Sequence, residues 1–198
     1  MCLVCGCGNQ GRIQLRAVSR VLPLERVFAW SRDKDRAAAY SSSMSEELGI
    51  PVVVAPEIPG ALRESDVLIT CTPSRTPFIR RKDVPPGLFI AAVGSDSPAK
   101  QELYADLVAA SKIVTDLTSQ AVHVGETHHA IAAGLLKPPQ VHAELGDVVA
   151  DKRPGRADSK EVIIFDSTGT AMQDVAAAAA VYEKACDMGV GSEWNPTK

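Results

Sequence analysis

The chain has 198 residues, 45% of them hydrophobic and 23% charged; this is an ordinary globular composition, and a chain of this length buries roughly 70% of its unfolded surface. A formal net charge of -3 supplies no basic field to attract nucleic acid or an anionic membrane. The longest apolar runs, such as "VVVA" and "LFIAAV", fall far short of the ~20 residues that cross a bilayer, and Gly6, Gly8, Asn9 and Gln10 interrupt any signal-peptide core, so the expected location is the cytoplasm, with no membrane and no nucleic-acid partner.

In chain order, β-rich segments alternate with helical patterns. "CLVCG" is read as a strand, "GRIQLRAVSRVL" as a helix, "RVFAW" as a strand, "DKDRAAAYSSSMSEEL" as a helix, "PVVVA" as a strand, "EIPGALRES" as a helix and "DVLITCT" as a strand. Such alternation predicts βαβ units and a parallel, buried sheet. In the first helix Ile13, Ala17, Val18 and Val21 recur at helical spacing and are the expected packed face. "LFIAAVG" and "SKIVTDL" are further strands, joined by a helix through "KQELYADLVAA". After "VHVGETHHAIAAGLL" the loops "KPPQ" and "DKRPGR" flank a short helix, "AELGDVVA". A last strand, "EVIIFDS", leads into the helix "TAMQDVAAAAAVYEKACDMG", whose alanine run, Ala176 to Ala180, has little bulk and lets neighbours approach closely. The expected fold class is α/β: a Rossmann-type, doubly wound, mostly parallel sheet with flanking helices and a C-terminal helix. One domain is expected over residues 1–198, with 166–190 as a C-terminal strand-to-helix segment.

Gly6, Gly8 and Gly11 satisfy G-x-G-x-x-G between the first strand and the first helix. The three glycines answer three demands: a tight turn, approach of backbone to a pyrophosphate, and close helix packing. The helix that starts near Asn9 then aims its free N–H groups at the phosphates. The bland alternative is a glycine turn that holds no ligand. An NAD site usually places Asp or Glu about 20 residues further on to bind the ribose hydroxyls, whereas "FAWSRDKDR" puts Ser31 there with Arg32 beside it. A hydroxyl leaves room for a 2′-phosphate and a guanidinium can pair with it, so NADP(H) is favoured over NAD(H). Arg32 is equally read as a solvated residue at a helix start, and Asp33 as an N-cap rather than a ribose ligand.

Three later segments, "SDVLITCTPSRTPFI", "AAVGSDSPAKQEL" and "FDSTGTAMQDVAAAAAVYEKA", in this order after "GCGNQG", resemble the ornithine cyclodeaminase/mu-crystallin family, and so does "AELGDVVADKRPGR" between the second and third. The resemblance covers nearly the whole chain. It implies the cofactor-binding part of a two-domain enzyme, without the N-terminal substrate and dimerisation domain, whose members are usually homodimers and on which segment 166–190 would pack, leaving an apolar surface on the last helix. The implied activity is NAD(P)-dependent hydride transfer at the Cα–N bond of an amino acid or cyclic imine, as in ketimine or pyrroline-2-carboxylate reductases and amino-acid dehydrogenases. Two alternatives stand beside it: an ornithine cyclodeaminase forming proline and ammonia, and a truncated, non-catalytic NADP(H)-binding module. Because the basic residues that clamp the substrate carboxylate belong to the other domain of the family, little turnover is expected of this chain alone.

By the same resemblance, Asn9 and Gln10 touch the pyrophosphate, Ser31 and Arg32 the adenosine ribose, and Thr72 the adenosine or nicotinamide side of the cleft. Val93, Gly94 and Ser95 form the wall near the nicotinamide ribose, Lys100 contacts the cofactor, and Ser167 and Thr168 lie near nicotinamide and substrate. The family cyclodeaminase has an apolar residue where Thr168 stands, which leaves the substrate open. The resemblance also implies that Asp96 is the acid/base residue, since the family places a carboxylate there beside the reacting carbon and nitrogen; in the sequence it follows an apolar strand, and ligands bind at the carboxyl ends of parallel strands. A placed carboxyl typically contributes roughly 10²–10⁴-fold to a proton-transfer step. The plain alternatives are an N-cap for Asp96, an exposed helical lysine for Lys100 and a capping turn for Ser167 and Thr168.

Two further clusters have ordinary readings. "CxxCxC" at Cys2, Cys5 and Cys7 lacks a fourth ligand at finger-like spacing, so Cys5 is read as a small buried hydrophobe and Cys7 as a turn residue. In "HVGETHH", His128 and His129 point about 100° apart on a helix, and no metal is expected there. Cys71 has no histidine placed beside it by spacing and is read as a buried strand cysteine rather than a nucleophile.

Overall fold

The computed structural model describes residues 1–192 and residue 194. It comprises two compact units, Met1–Thr168 and a second that begins at Gly169. In the first unit eight strands form one sheet: β1 (Cys2–Cys5), β2 (Val27–Trp30), β3 (Val52–Val54), β4 (Val67–Thr70), β5 (Phe89–Ala92), β6 (Lys112–Thr115), β7 (Ala143–Glu144) and β8 (Ile163–Asp166). Their order is β3-β2-β1-β4-β5-β8-β6-β7, and every pairing is parallel. The chain is thus an α/β, Rossmann-type protein. No helix among the described residues is long and apolar enough to cross a membrane.

The helices are α1 (Asn9–Val21), α2 (Lys34–Leu48), α3 (Ile58–Arg63), α4 (Ala105–Ala109), α5 (Thr118–Ala121), α6 (Gly125–Ala132), α7 (Leu145–Val149) and, in the second unit, α8 (Ala171–Asp187). Covering both faces of a parallel sheet requires strands that are apolar at every position. β1 shows this directly. Leu3 and Cys5 enter a core shared with Ile58 and Leu62 of α3 and Leu107 and Val108 of α4, while Cys2 and Val4 enter a second core with Leu15 of α1 and Ala37, Tyr40 and Met44 of α2.

Three elements differ from the sequence reading. The packed face of α1 is Gly11 and Leu15, with Val18 packed at the edge of the core; Ile13 and Val21 are 54% and 76% exposed, and Ala17 is exposed too. Glycine sets this phase, because the face without a side chain is the one that can press against the loop. The helix expected through "KQELYADLVAA" begins only at Ala105, since residues 101–104 run extended and pair with the loop after β4 through an Ile79–Leu103 bridge. Within "AELGDVVA", Ala143 and Glu144 join the sheet beside β6 before α7 starts.

In the second unit α8 has no buried side chain, and Met172, Val175, Val181 and Tyr182 are exposed.

The tightest backbone contact is in the first loop. Gly6 has φ 118, a left-handed conformation that favours glycine, and a Cβ there would lie 2.8 Å from the Cys71 carbonyl oxygen. A Cβ on Gly11 would overlap the Gly6 carbonyl oxygen. Gly11→Ala should therefore lift α1 off the loop and lower the thermal midpoint by at least about 5 °C. An unchanged midpoint by differential scanning fluorimetry would show that the loop yields without cost.

Candidate dinucleotide site

From β1 the chain steps to β2 and β3 on one side, then crosses back to β4 on the other side of β1. Loops leaving β1 and β4 therefore diverge, and such a switch point is where open α/β sheets bind ligands. A cleft of about 760 Å³ opens there, walled by Gly6 and Gly8, by Ser31 and Arg32, and by Thr72 and Phe78. Phe78 stacks on Trp30 with ring centroids 5.6 Å apart. Gly8 is the N-cap of α1, and its side-chain cap is missing, so the first N–H groups of the helix receive no help from a capping hydroxyl or carboxylate. Asn9 and Gln10 are exposed in that first turn, and a Cβ on Gly8 would meet nothing within 4 Å.

After β2 the groups are arranged around the start of α2. Asp33 Oδ1 accepts from the Arg36 N–H at 3.1 Å and the Asp33 N–H donates to Ser31 Oγ at 3.2 Å. Asp33 is thus a helix cap. Arg36, one turn beyond Arg32, also lines the cleft. Sequence reading missed it; its signal was the spacing of two arginines across a cap.

The remaining expected site residues gather at the ends of β5 and β8 and are not part of that cleft wall. Asp96 Oδ1 pairs with Lys100 Nζ at 2.6 Å, with the aspartate side chain 58% exposed. No helix begins at Asp96, which removes both its N-cap reading and the helical reading of Lys100. The loop from Val93 is folded on itself instead: Ser95 Oγ donates to the Lys100 carbonyl at 2.6 Å, and His129 Nε2 meets the same oxygen at 2.7 Å. After β8, Asp116 accepts from the Thr168 N–H at 2.8 Å and from its hydroxyl at 2.9 Å, and Ser167 Oγ lies 3.5 Å from the same carboxylate. Gln120 Nε2 donates to Thr168 Oγ1 at 2.9 Å.

Beneath these loops lie three fully buried carboxyls that the sequence did not single out as a group: Glu102, Glu126 and Asp166. Glu102 Oε1 accepts from the Thr72 N–H and hydroxyl, both at 2.7 Å. Glu126 accepts from the N–H groups of Glu102 at 2.7 Å and Leu103 at 3.0 Å. Asp166 accepts from the Glu126 N–H at 3.1 Å, the Thr127 N–H at 2.8 Å and the Thr127 hydroxyl at 2.6 Å. Burial pushes Glu102 up to about 7 and Asp166 up to about 6, against the pull of their hydrogen bonds; burial also raises Glu126 well above the usual range. A glutamate is ordinarily a surface residue, and only the tertiary fold shows these to be interior.

Cys2, Cys5 and Cys7 are buried and Cys71 is half-buried, whereas Cys186 is exposed on α8; the first four belong to the sheet and its loops. Burial pushes Cys2 up to about 12 and Cys7 up to about 11, and raises Cys5 and Cys71 as well, so none of these four presents a thiolate nucleophile near neutral pH. Among the described residues no group of three or more His, Cys, Asp or Glu could hold a metal.

A parallel sheet of this order, with a glycine loop and an uncapped helix end at its switch point, defines a dinucleotide-binding class of fold. The sequence matches the ornithine cyclodeaminase/mu-crystallin family over residues 1–189, and the chain belongs to that family. It is 42% identical over 188 residues to the alanine dehydrogenase of Archaeoglobus fulgidus, covering 95% of this chain and 58% of that protein. The solved iminosuccinate reductase of Paracoccus denitrificans in complex with NAD+ superposes with a TM-score of 0.92 at 40% identity, over 98% of this chain and 59% of the other. The Delta(1)-pyrroline-2-carboxylate reductase of Thermococcus litoralis, in complex with NADH and L-proline, gives 0.93 at 30% identity, over 98% and 60%. This chain therefore spans less than two thirds of the length of these relatives.

The buried acids give a pH dependence with a definite sign. Their pKa values are higher folded than unfolded, so their contribution is complete below the unfolded values and drains as pH rises through the folded ones, between 4.5 and about 7 for Glu102 and between 3.8 and about 6 for Asp166. The thermal midpoint should fall by about 3 °C or more between about pH 5 and about pH 7.5, and Glu102→Gln should flatten the upper part of that slope. A midpoint that climbs over this range would contradict the assignment.

Proposed function

We propose that this chain is the cofactor-binding part of a nicotinamide-dependent oxidoreductase acting at the Cα–N bond of an amino acid or cyclic imine. The observation that carries the reading is the cleft at the switch point, where Gly8 leaves open space beside an uncapped helix end, a cradle that a pyrophosphate fits and a larger side chain would fill. The named relatives agree on the chemistry, since alanine, iminosuccinate and pyrroline-2-carboxylate share a carbon–nitrogen bond beside a carboxylate. In this reading Gly6, Gly8, Asn9, Gln10 and Gly11 hold the pyrophosphate, Thr72 and residues 93–95 border the nicotinamide side together with Lys100 and Ser167, and Thr168 faces substrate. The bound nicotinamide supplies hydride transfer. The Asp96 carboxyl exchanges the proton with the substrate nitrogen, and Lys100, 2.6 Å away, orients it. Segment 166–190 would pack on a substrate and dimerisation domain, with a homodimer as the assembly, as in the archaeal alanine dehydrogenase dimer.

We infer NADP(H) as the preferred cofactor, because Asp33 is committed to capping α2 while Arg32 and Arg36 both reach the cleft and can pair with a 2′-phosphate. NAD(H) is the second reading, favoured by the NAD held in solved relatives.

Two titrations test these statements. Gly8 has φ -103 and ψ -163, extended backbone that any residue adopts, so Gly8→Val should keep the wild-type thermal midpoint yet weaken dinucleotide binding by about tenfold or more, followed by reduced-nicotinamide fluorescence. Equal affinity in the two proteins would remove the phosphate from this loop. For the cofactor, Arg32→Ala and Arg36→Ala should each weaken NADPH about fivefold or more while leaving NADH within about twofold. A wild-type chain that binds NADH more tightly than NADPH reverses the cofactor assignment without touching the fold reading.

A further inference from the structure

The expected site residues lie around the cleft and on the loops after β5 and β8, and one short stretch, residues 101–104, joins the cleft to the loop after β5. The cleft-lining loop after β4 depends on this stretch: the Gln101 N–H donates to the Ser74 carbonyl at 2.9 Å, the Phe78 and Ile79 N–H groups donate to the Glu102 carbonyl at 2.8 and 3.1 Å, and the Tyr104 N–H donates to the Ile79 carbonyl at 3.1 Å. At its centre the Glu102 side chain turns inward. Oε1 takes both donors of Thr72, and Oε2 occupies the space beside Gly94 so closely that a Cβ on Gly94 would overlap it. Oε2 is buried next to the Thr70 hydroxyl and the Gly94 N–H, and burial outweighs the pull of these donors, so that the carboxyl is pushed up to about 7.

We propose that Glu102 is a positioning residue of the nicotinamide half of the site: one buried carboxyl fixes the end of β4, through Thr72, against the end of β5, at Gly94, and so sets the width of the wall on which the ring would lie. This rests on the dinucleotide reading above. The two mononucleotide halves of such a fold lie on opposite sides of β1, and Glu102 touches only the β4–β5 side. Cys5 of β1, Cys71 after β4 and Glu126 of α6 interact with Glu102 electrostatically, and a neighbouring acid such as Glu126 favours its neutral form.

The test compares a whole dinucleotide with a ligand that lacks nicotinamide, on the full 198-residue chain. NADPH and 2′-phospho-ADP-ribose, with NADH and ADP-ribose in parallel, are titrated against wild type, Glu102→Gln and Glu102→Ala, and thermal midpoints are recorded. Glutamine keeps an acceptor for Thr72 and the shape of the neutral acid, so Glu102→Gln should bind all ligands within about twofold of wild type. Glu102→Ala should lose about tenfold or more for the dinucleotides and less than about twofold for the ribose fragments. Equal loss of both ligand classes in Glu102→Ala, or no loss of either, overturns the positioning role, as does a glutamine variant no better than alanine. Should Glu102→Ala fail to fold, Glu102→Gln and Thr72→Val carry the same comparison: the role stands if Thr72→Val alone weakens the dinucleotides selectively, and falls if it does not. A wild-type chain that binds neither dinucleotides nor ribose fragments overturns the dinucleotide reading itself.

Discussion

The structure turns on one contact, the backbone of Gly11 pressed against the carbonyl of Gly6. It fixes how close α1 lies to the sheet, which of its faces looks inward, and where its first N–H groups aim. With Gly11 against the loop, Leu15 falls into the core one turn later and Val18 follows, while Ile13 is left outside. The buried Tyr40 completes the arrangement, donating to the Gly11 carbonyl at 2.9 Å and so tying α2 to the start of α1. One missing side chain therefore couples the phosphate loop to both helices on that face of the sheet.

On the other side of β1 the organising groups are polar. Burying three carboxyls is costly unless each is neutralised or well hydrogen-bonded, and here both devices operate. Glu126 and Asp166 receive backbone N–H donors and all three titrate upward. The backbone groups they satisfy belong to segments that make no regular ladder: residues 102 and 103, and the start of α6. The acids thus replace secondary structure in holding these irregular segments over the carboxyl ends of the strands.

The pattern of legibility follows from this division. Strands buried on both faces announce themselves as continuous apolar runs, and Gly6, Gly8, Ser31 and Arg32, which spacing singles out, line one cleft with Thr72, to which only the family resemblance points. Local chemistry also fixed the end of β2, where Asp33 caps α2. What periodicity could not show depends on distant partners. The phase of α1 is set by a backbone contact, so counting apolar residues selected Ile13, Ala17 and Val21, which are exposed. Residues 101–104 have helical composition but are drawn out by the loop after β4. The insertion of β8 between β5 and β6 is a long-range choice with no local signature, and it is this insertion that brings Asp166 beneath Glu126. Glu102 and Glu126 carry no local sign of their burial, because only the folded chain surrounds them.

The two sides of the cleft also differ in how they can discriminate. Arg32 and Arg36 are exposed, so any preference they give for a 2′-phosphate acts through water-like dielectric and is screened over about 8 Å at physiological salt. Such selectivity is modest, weakens with ionic strength, and is readily altered by substitutions at the start of α2. The β4–β5 side works by fixed geometry around a buried group, Glu102, which bonds Thr72 at 2.7 Å where salt has little reach. In the proposed enzyme, choice of cofactor would thus be a soft, electrostatic property of one wall, and placement of the reacting ring a hard, steric property of the other. Cofactor preference could then change without disturbing the chemistry.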